Sequence, residues 1–188
     1  MAIAYLTGSN TGSEANYVDT LSTNVTVSGV APFVIAILNT DSLSGPGGKR
    51  TISTFTCGGE AMTLLGSLDY GDSGRMFVYY YPNPTAGIKA VAFTLNATAQ
   101  CRLAVSVYTG VNAVNPINVS GTSTNGTNTL TSTADNCWHV IGACFPSIGA
   151  GFVSISAGSS TSLRNHVSGY GTGILDNNAA ITPAGANS

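Results

Sequence analysis

The stretch "TLSTNVTVSGVAPFVIAILNT", Thr20 to Thr40, holds two different strand patterns back to back. In its first part Leu21, Thr23, Val25 and Val27 alternate with Ser22, Asn24, Thr26 and Ser28. A period of two sends these sets to opposite faces of a pleated strand, one towards a core and one towards water. After Gly29 and Pro32, the run Phe33 to Leu38 is apolar without alternation. That is the pattern of a strand covered on both faces. The whole run "VAPFVIAIL", Val30 to Leu38, is far too short to cross a bilayer.

The same reading extends outward. "RTISTFTC", Arg50 to Cys57, places Ile52 and Phe55 on opposite faces. Gly58-Gly59 then predicts a tight hairpin into "EAMTLLGSL", because glycine readily takes the positive φ of a primed turn. In "GRMFVYYYPNPTAG", Met76, Val78 and Tyr80 oppose Phe77, Tyr79 and Tyr81, and Pro82 and Pro84 end the ladder. "GIKAVAFTLNAT" and "CRLAVSVYTG" read as two further strands separated by "ATAQ". "NCWHVIGACF" and "GFVSISAGSS" read as a hairpin around "PSIGA", and "TSLRNHVSGYG" as a weaker last strand. No window shows helical spacing with caps. About ten short strands with Gly, Pro and Asn turns predict an all-β, single antiparallel β-sandwich or jelly-roll-like domain. The expected organisation is an N-terminal arm over 1–16, the sandwich over 17–174, and a C-terminal arm or tail over 175–188.

Composition restricts function. Of 188 residues, 6 are basic and 8 acidic, which is 7% charged against roughly 25% in ordinary soluble domains. A formal net charge of −2 supplies no attraction for nucleic acid or an anionic membrane. Weak colloidal repulsion suits a protein packed beside copies of itself or on a larger particle. The start "MAIAYLTGSNTGSEAN" has neither a basic nor an apolar segment of a secretory signal, so synthesis in a host cytoplasm is expected. Cys57, Cys101, Cys137 and Cys144 include no C-x-x-C pair and are expected as reduced, mostly buried thiols, with a Cys57–Cys101 bridge as the alternative. Cys137 and Cys144 are read onto one strand, too far apart to bridge.

Three consecutive blocks carry a resemblance. They are "FTCGGEAMTLLGS", "GRMFVYYYPNPTAGIKAVAFTL" and "AVSVYTGVNAVNPINVSG". Together they resemble the β-sandwich structural modules, of decoration or fibre type, found in virion proteins of tailed bacteriophages. The resemblance spans about Thr51 to Ser120, under half the chain, and rests on turns. It implies a non-enzymatic virion protein, on a capsid or tail surface, that contacts copies of itself and other virion proteins. The departure is at the end, where "LDNNAAITPAGANS" stands in place of a closing strand. With only Leu175 and Ile181 large, that tail is expected either to be loose or to lie along a neighbouring subunit.

Candidate contact residues follow from chemistry. Tyr108 at a strand end can bury its ring while its hydroxyl finds a partner. The uncharged loop beyond it, with Asn112, Asn115 and Pro116, reads as a crossover between sheets or as a contact surface. Tyr79 and Tyr81 share a face and offer either core packing or a platform for a cell-surface glycan, so a carbohydrate-binding fibre or adhesin module is the alternative reading. Ile181 is the candidate anchor of the tail. His139, in "CWHVIG", reads as a hydrogen-bonded packing residue. His166 and Arg164 are expected on one strand face, where Asp69 or Asp72 would complete an acid–base set if the fold brought them near. No G-x-S-x-G elbow is present, so no catalytic residue is expected. The loop "LDYGDSG" lacks the full oxygen-ligand pattern of a calcium site, and neither metal nor cofactor is expected.

Overall fold

The computed structural model describes residues 2–41, 49–72, 74–124, 129–144, 155–157, 161–167, 171–181, 184 and 186–187. Among them are twelve strands and no helix. They are β1 (Ala4–Val27), β2 (Phe33–Asp41), β3 (Ile52–Cys57), β4 (Glu60–Ala61), β5 (Thr63–Tyr70), β6 (Gly74–Pro82), β7 (Gly87–Thr109), β8 (Leu130–Thr131), β9 (Val140–Cys144), β10 (Ser162–Val167), β11 (Thr172–Asp176) and β12 (Ala186–Asn187). The fold is all-β and antiparallel, consistent with a sandwich or jelly roll, and its large sheet is nearly closed.

The sheet is organised by its two longest strands. β1 pairs with β7 from Ala4↔Thr109 to Val27↔Gly87. The other edge of β7 carries β3 along its first half, Val91 to Leu95, and β2 along its second, Gln100 to Tyr108. From β2 the sheet continues through β6 to β5. The Gly58-Gly59 hairpin forms as expected, with φ of 63° and 88° and Cys57 opposite Glu60. Positive φ at both central positions matches the twist of the flanking strands. β4 then runs on into β5, linking the two branches and nearly closing the sheet.

The β1–β7 ribbon folds back on itself, and Ser9 Oγ meets Thr23 Oγ1 at 2.6 Å across the interior. One core lies inside this fold. Val25, Val27, Phe55, Val91, Phe93 and Leu95 of one half face Val34, Ala36, Leu38, Leu103, Val105 and Val107 of the other. A second core lies on the outer face of β2, β6 and β7. There Phe33, Ile35, Ile37, Met76, Ala104 and Tyr108 meet Ile174, Trp138, Val140 and Cys144 around a three-stranded sheet, β10–β11–β9. Every residue of β2 is therefore buried, which is the cause of its unbroken apolar pattern.

Several boundaries differ from the sequence reading. Residues 4–13, expected in an arm, are sheet, paired with Cys101–Thr109. The strands expected on either side of "ATAQ" are one strand, β7. Both differences have one physical reason. The segments 14–17 and 96–99 hold no Gly or Pro, so the chain bends through register shifts, between Ser13 and Val18 and between Val18 and Thr20, without turning back. Cys137 is not on the strand of Cys144; it forms an isolated bridge with Ile181. The hairpin expected around "PSIGA" lies outside the described residues. The tail boundary at 175 also moves, because Leu175 and Asp176 belong to β11 and are buried. Beyond them Ile181 N–H donates to Cys137 O and β12 pairs with β8, so the described tail lies along its own chain, where backbone partners are available.

Candidate functional site

Two regions stand out: a buried polar joint and an uncharged pole of loops. The joint lies where the three-stranded sheet meets β7. Asp176 is fully buried, and its Oδ2 accepts from Tyr108 OH at 2.9 Å and from Arg164 Nε at 2.7 Å. Its Oδ1 accepts from Asn178 N–H at 2.9 Å. The Arg164 guanidinium lies over the Tyr5 ring at 4.7 Å and near the Trp138 ring at 6.0 Å. Tyr108 meets Tyr5 and Trp138 edge-on. Burial pushes the Tyr108 phenol well above its usual range, and the Asp176 charge adds to that. The hydrogen bond that Arg164 donates to Asp176 raises its pKa further and holds it charged. Beside it, Asn165 Nδ2 donates to Val105 O at 2.9 Å while Asn10 donates to Asn165 Oδ1 at 2.7 Å. Further along, Asn39 donates to Thr172 Oγ1 at 3.0 Å and accepts from the hydroxyl of the half-buried Tyr70. Each carboxylate oxygen of Asp176 is engaged and Tyr108 stays protonated. The arrangement fixes one sheet on another.

The pole gathers the ends of β1, β2, β6 and β7. Gly110 N–H donates to Val30 O at 2.9 Å, Val111 N–H to Ala31 O at 3.2 Å and Asn83 N–H to Pro32 O at 2.7 Å. Ala31 and Asn83 both hold positive φ, 48° and 52°, so these loops are fixed in unusual conformations by their neighbours. Gly110 has no room for a side chain, since a Cβ there would lie 2.1 Å from Ala2 O. Residues 28–32, 82–88 and 110–119 contain no charged side chain of their own, and the neighbouring Lys89 Nζ donates to Thr85 Oγ1 at 2.7 Å at their margin. They carry Val30, Ile88 and Val114, which are 63%, 74% and 84% exposed.

The residues singled out from sequence divide between these regions. Tyr108 is 1% exposed and belongs to the joint. Asn112 is on the pole, where its Oδ1 accepts from Val114 N–H and Asn115 N–H and so shapes the loop. Asn115 is exposed there and Pro116 half-buried. Tyr79 is core: its ring stacks on Phe55 with centroids 4.3 Å apart. Tyr81 packs at the margin of that core. Ile181 is half-buried at the Cys137 bridge. The fold does not assemble the acid–base set. A register shift between Leu163 and Asn165 turns Arg164 inward and leaves His166 exposed. Asp69 is instead held by Arg75 and by Lys49 at 3.1 Å. His139 is half-buried, and burial lowers its pKa. All four cysteines are free; Cys57 and Cys101 are buried and the other two half-buried. Burial raises the Cys57 thiol to about 11 and those of Cys101 and Cys144 to about 12. Among the described residues no group of three or more His, Cys, Asp or Glu could hold a metal ion, and no helix is long and apolar enough to cross a membrane.

Asp176 and Val30 went unnoticed in the sequence. A carboxylate in the apolar run "GILD" was the available signal for the first. The second needed the loops brought together. No family model, curated protein or solved structure matches the chain.

Proposed function

We propose that this chain is a non-enzymatic structural protein of a virion, a capsid or tail surface component of decoration or cement type. It docks through uncharged contacts with copies of itself and with other virion proteins. The supporting observation is the pole: loops locked by backbone hydrogen bonds and the start of β7 expose Val30, Ile88 and Val114, with Lys89, on Thr85 Oγ1, as the cation at its margin. Neutral, ordered surface is inexpensive to desolvate and loses little entropy on docking. The resemblance of residues 51–120 to tailed-phage sandwich modules supplies the context. The glycan-binding alternative rested on Tyr79 and Tyr81; Tyr79 is occupied in stacking on Phe55, and Tyr81 packs half-buried at the margin of the same core.

The test is incorporation. Particles purified from a producing culture are expected to contain the chain in many copies by quantitative mass spectrometry, and immunogold should place it on the surface. Val114→Asp together with Ile88→Asp should leave the isolated protein folded and sharply reduce its copy number on particles. Recovery of the chain only from the particle-free fraction would overturn the reading.

A further inference from the structure

Among the described residues β1 pairs with β7 alone, so its other edge is an unpaired ladder along the side of the sandwich. Unpaired edges invite another strand, and proteins ordinarily blunt them with Lys, Pro, inward charges or bulges. β1 contains neither Lys, Arg nor Pro, and its two acids, Glu14 and Asp19, sit at the bend. Its register shifts fall between Tyr5 and Thr7 and between Ser13 and Thr20. This leaves two regular, uncharged runs, Thr7–Ser13 and Thr20–Val27. Because the ribbon folds back, the runs lie one above the other, joined near their centres by the Ser9–Thr23 hydroxyl contact. The first run is also held from above by Asn165, which accepts from Asn10 Nδ2 and donates to Ser9 O, so the edge is preorganised.

We propose that this double edge is a homodimer interface in which β1 of one copy pairs antiparallel with β1 of another. An isolated peptide strand would extend only one of the two layers. A second copy presents the same two runs at the same separation. One two-fold axis normal to the layers, running between the facing edges level with the two Ser9–Thr23 contacts, would continue both layers at once and close the assembly at two. That axis also sets Asp19, at the bend of one copy, at the opposite end from Asp19 of its partner, which avoids a like-charge pair. The inference deepens the proposed function by naming the surface used between copies. It rests on that reading only for its biological setting, because the pairing itself is read from solution behaviour.

The experiment is sedimentation equilibrium of the purified full chain from about 1 to 100 μM, with hydrogen exchange at both ends of the range. A concentration-dependent dimer is expected, with slower exchange in 7–13 and 20–27 at the higher concentration. Ser22→Lys with Asn24→Lys, both at exposed positions, places like charges across the axis and should weaken the dimer by about tenfold or more. Mixing it with Ser22→Glu/Asn24→Glu should restore association as a heterodimer. A protein monomeric throughout overturns the proposal, as does a dimer whose 7–13 and 20–27 amides exchange unchanged. A dimer indifferent to the lysine pair also overturns it. None of these outcomes removes the chain from a particle, so the virion reading is judged separately by incorporation.

Discussion

The inner core and the joint beneath the three-stranded sheet are both buried, yet they are held by different forces. Inside the folded ribbon, Phe93, Val91, Leu103 and Val105 meet apolar groups, and burial there is non-directional. At the joint, Asp176, Arg164, Tyr108 and Asn165 meet through hydrogen bonds of fixed length and direction. The first kind of contact supplies stability and tolerates repacking. The second supplies little net stability, because desolvation offsets the attraction, but penalises any docking that leaves a group unpaired. The large sheet therefore carries the fold, and the joint decides how the small sheet sits.

That contrast can be broken by substitution. The largest effect is expected from Phe93→Ala, which removes a 2% exposed ring at the centre of the inner core. A loss of about 3–5 kcal/mol is expected in denaturant unfolding, with all probes moving together. Asp176→Ala leaves Arg164 and Tyr108 without their acceptor and should cost about 3 kcal/mol. Here hydrogen exchange should rise first in β10 and β11 while β7 stays protected. Uniform loss of protection would show that the joint is not separable from the core.

A smaller effect sharpens the contact between the sheets. A Cβ at Gly142 in β9 would lie 2.4 Å from Ile37 Cδ1, so an added methyl requires the fully buried Ile37 side chain to shift. Gly142→Ala should destabilise by about 1–3 kcal/mol, and Gly142→Ala with Ile37→Val should recover part of it. The smallest effect concerns the exposed Asp69. The hydrogen bond from Arg75 lowers its carboxyl from an ordinary 3.8 to about 2, with Lys49 adding to it. A lowered folded value means the contribution is present above 3.8 and is lost as pH falls through about 2. The melting temperature of Asp69→Asn should lie slightly below that of the parent near neutral pH, and the gap should close in acid or in high salt.

The elements were legible where local chemistry acts alone. Period-two alternation marked the second half of β1, the continuous run marked β2 as covered on both faces, and Gly58-Gly59 fixed a hairpin, since φ preferences and face alternation belong to the chain itself. The polar character and the low charge of the loop after Tyr108 were equally visible. What the chain alone left open was decided by partners distant in sequence. Nothing in 14–17 or 96–99 signals a bend, because a register shift depends on both paired strands. Tyr79 is core only because Phe55 lies beneath it. Arg164 reaches Asp176 only because a bulge turns it inward. Tertiary structure also assembled the pole, since Val30, Ile88 and Val114 share an end of the molecule only once the strands that carry them are aligned.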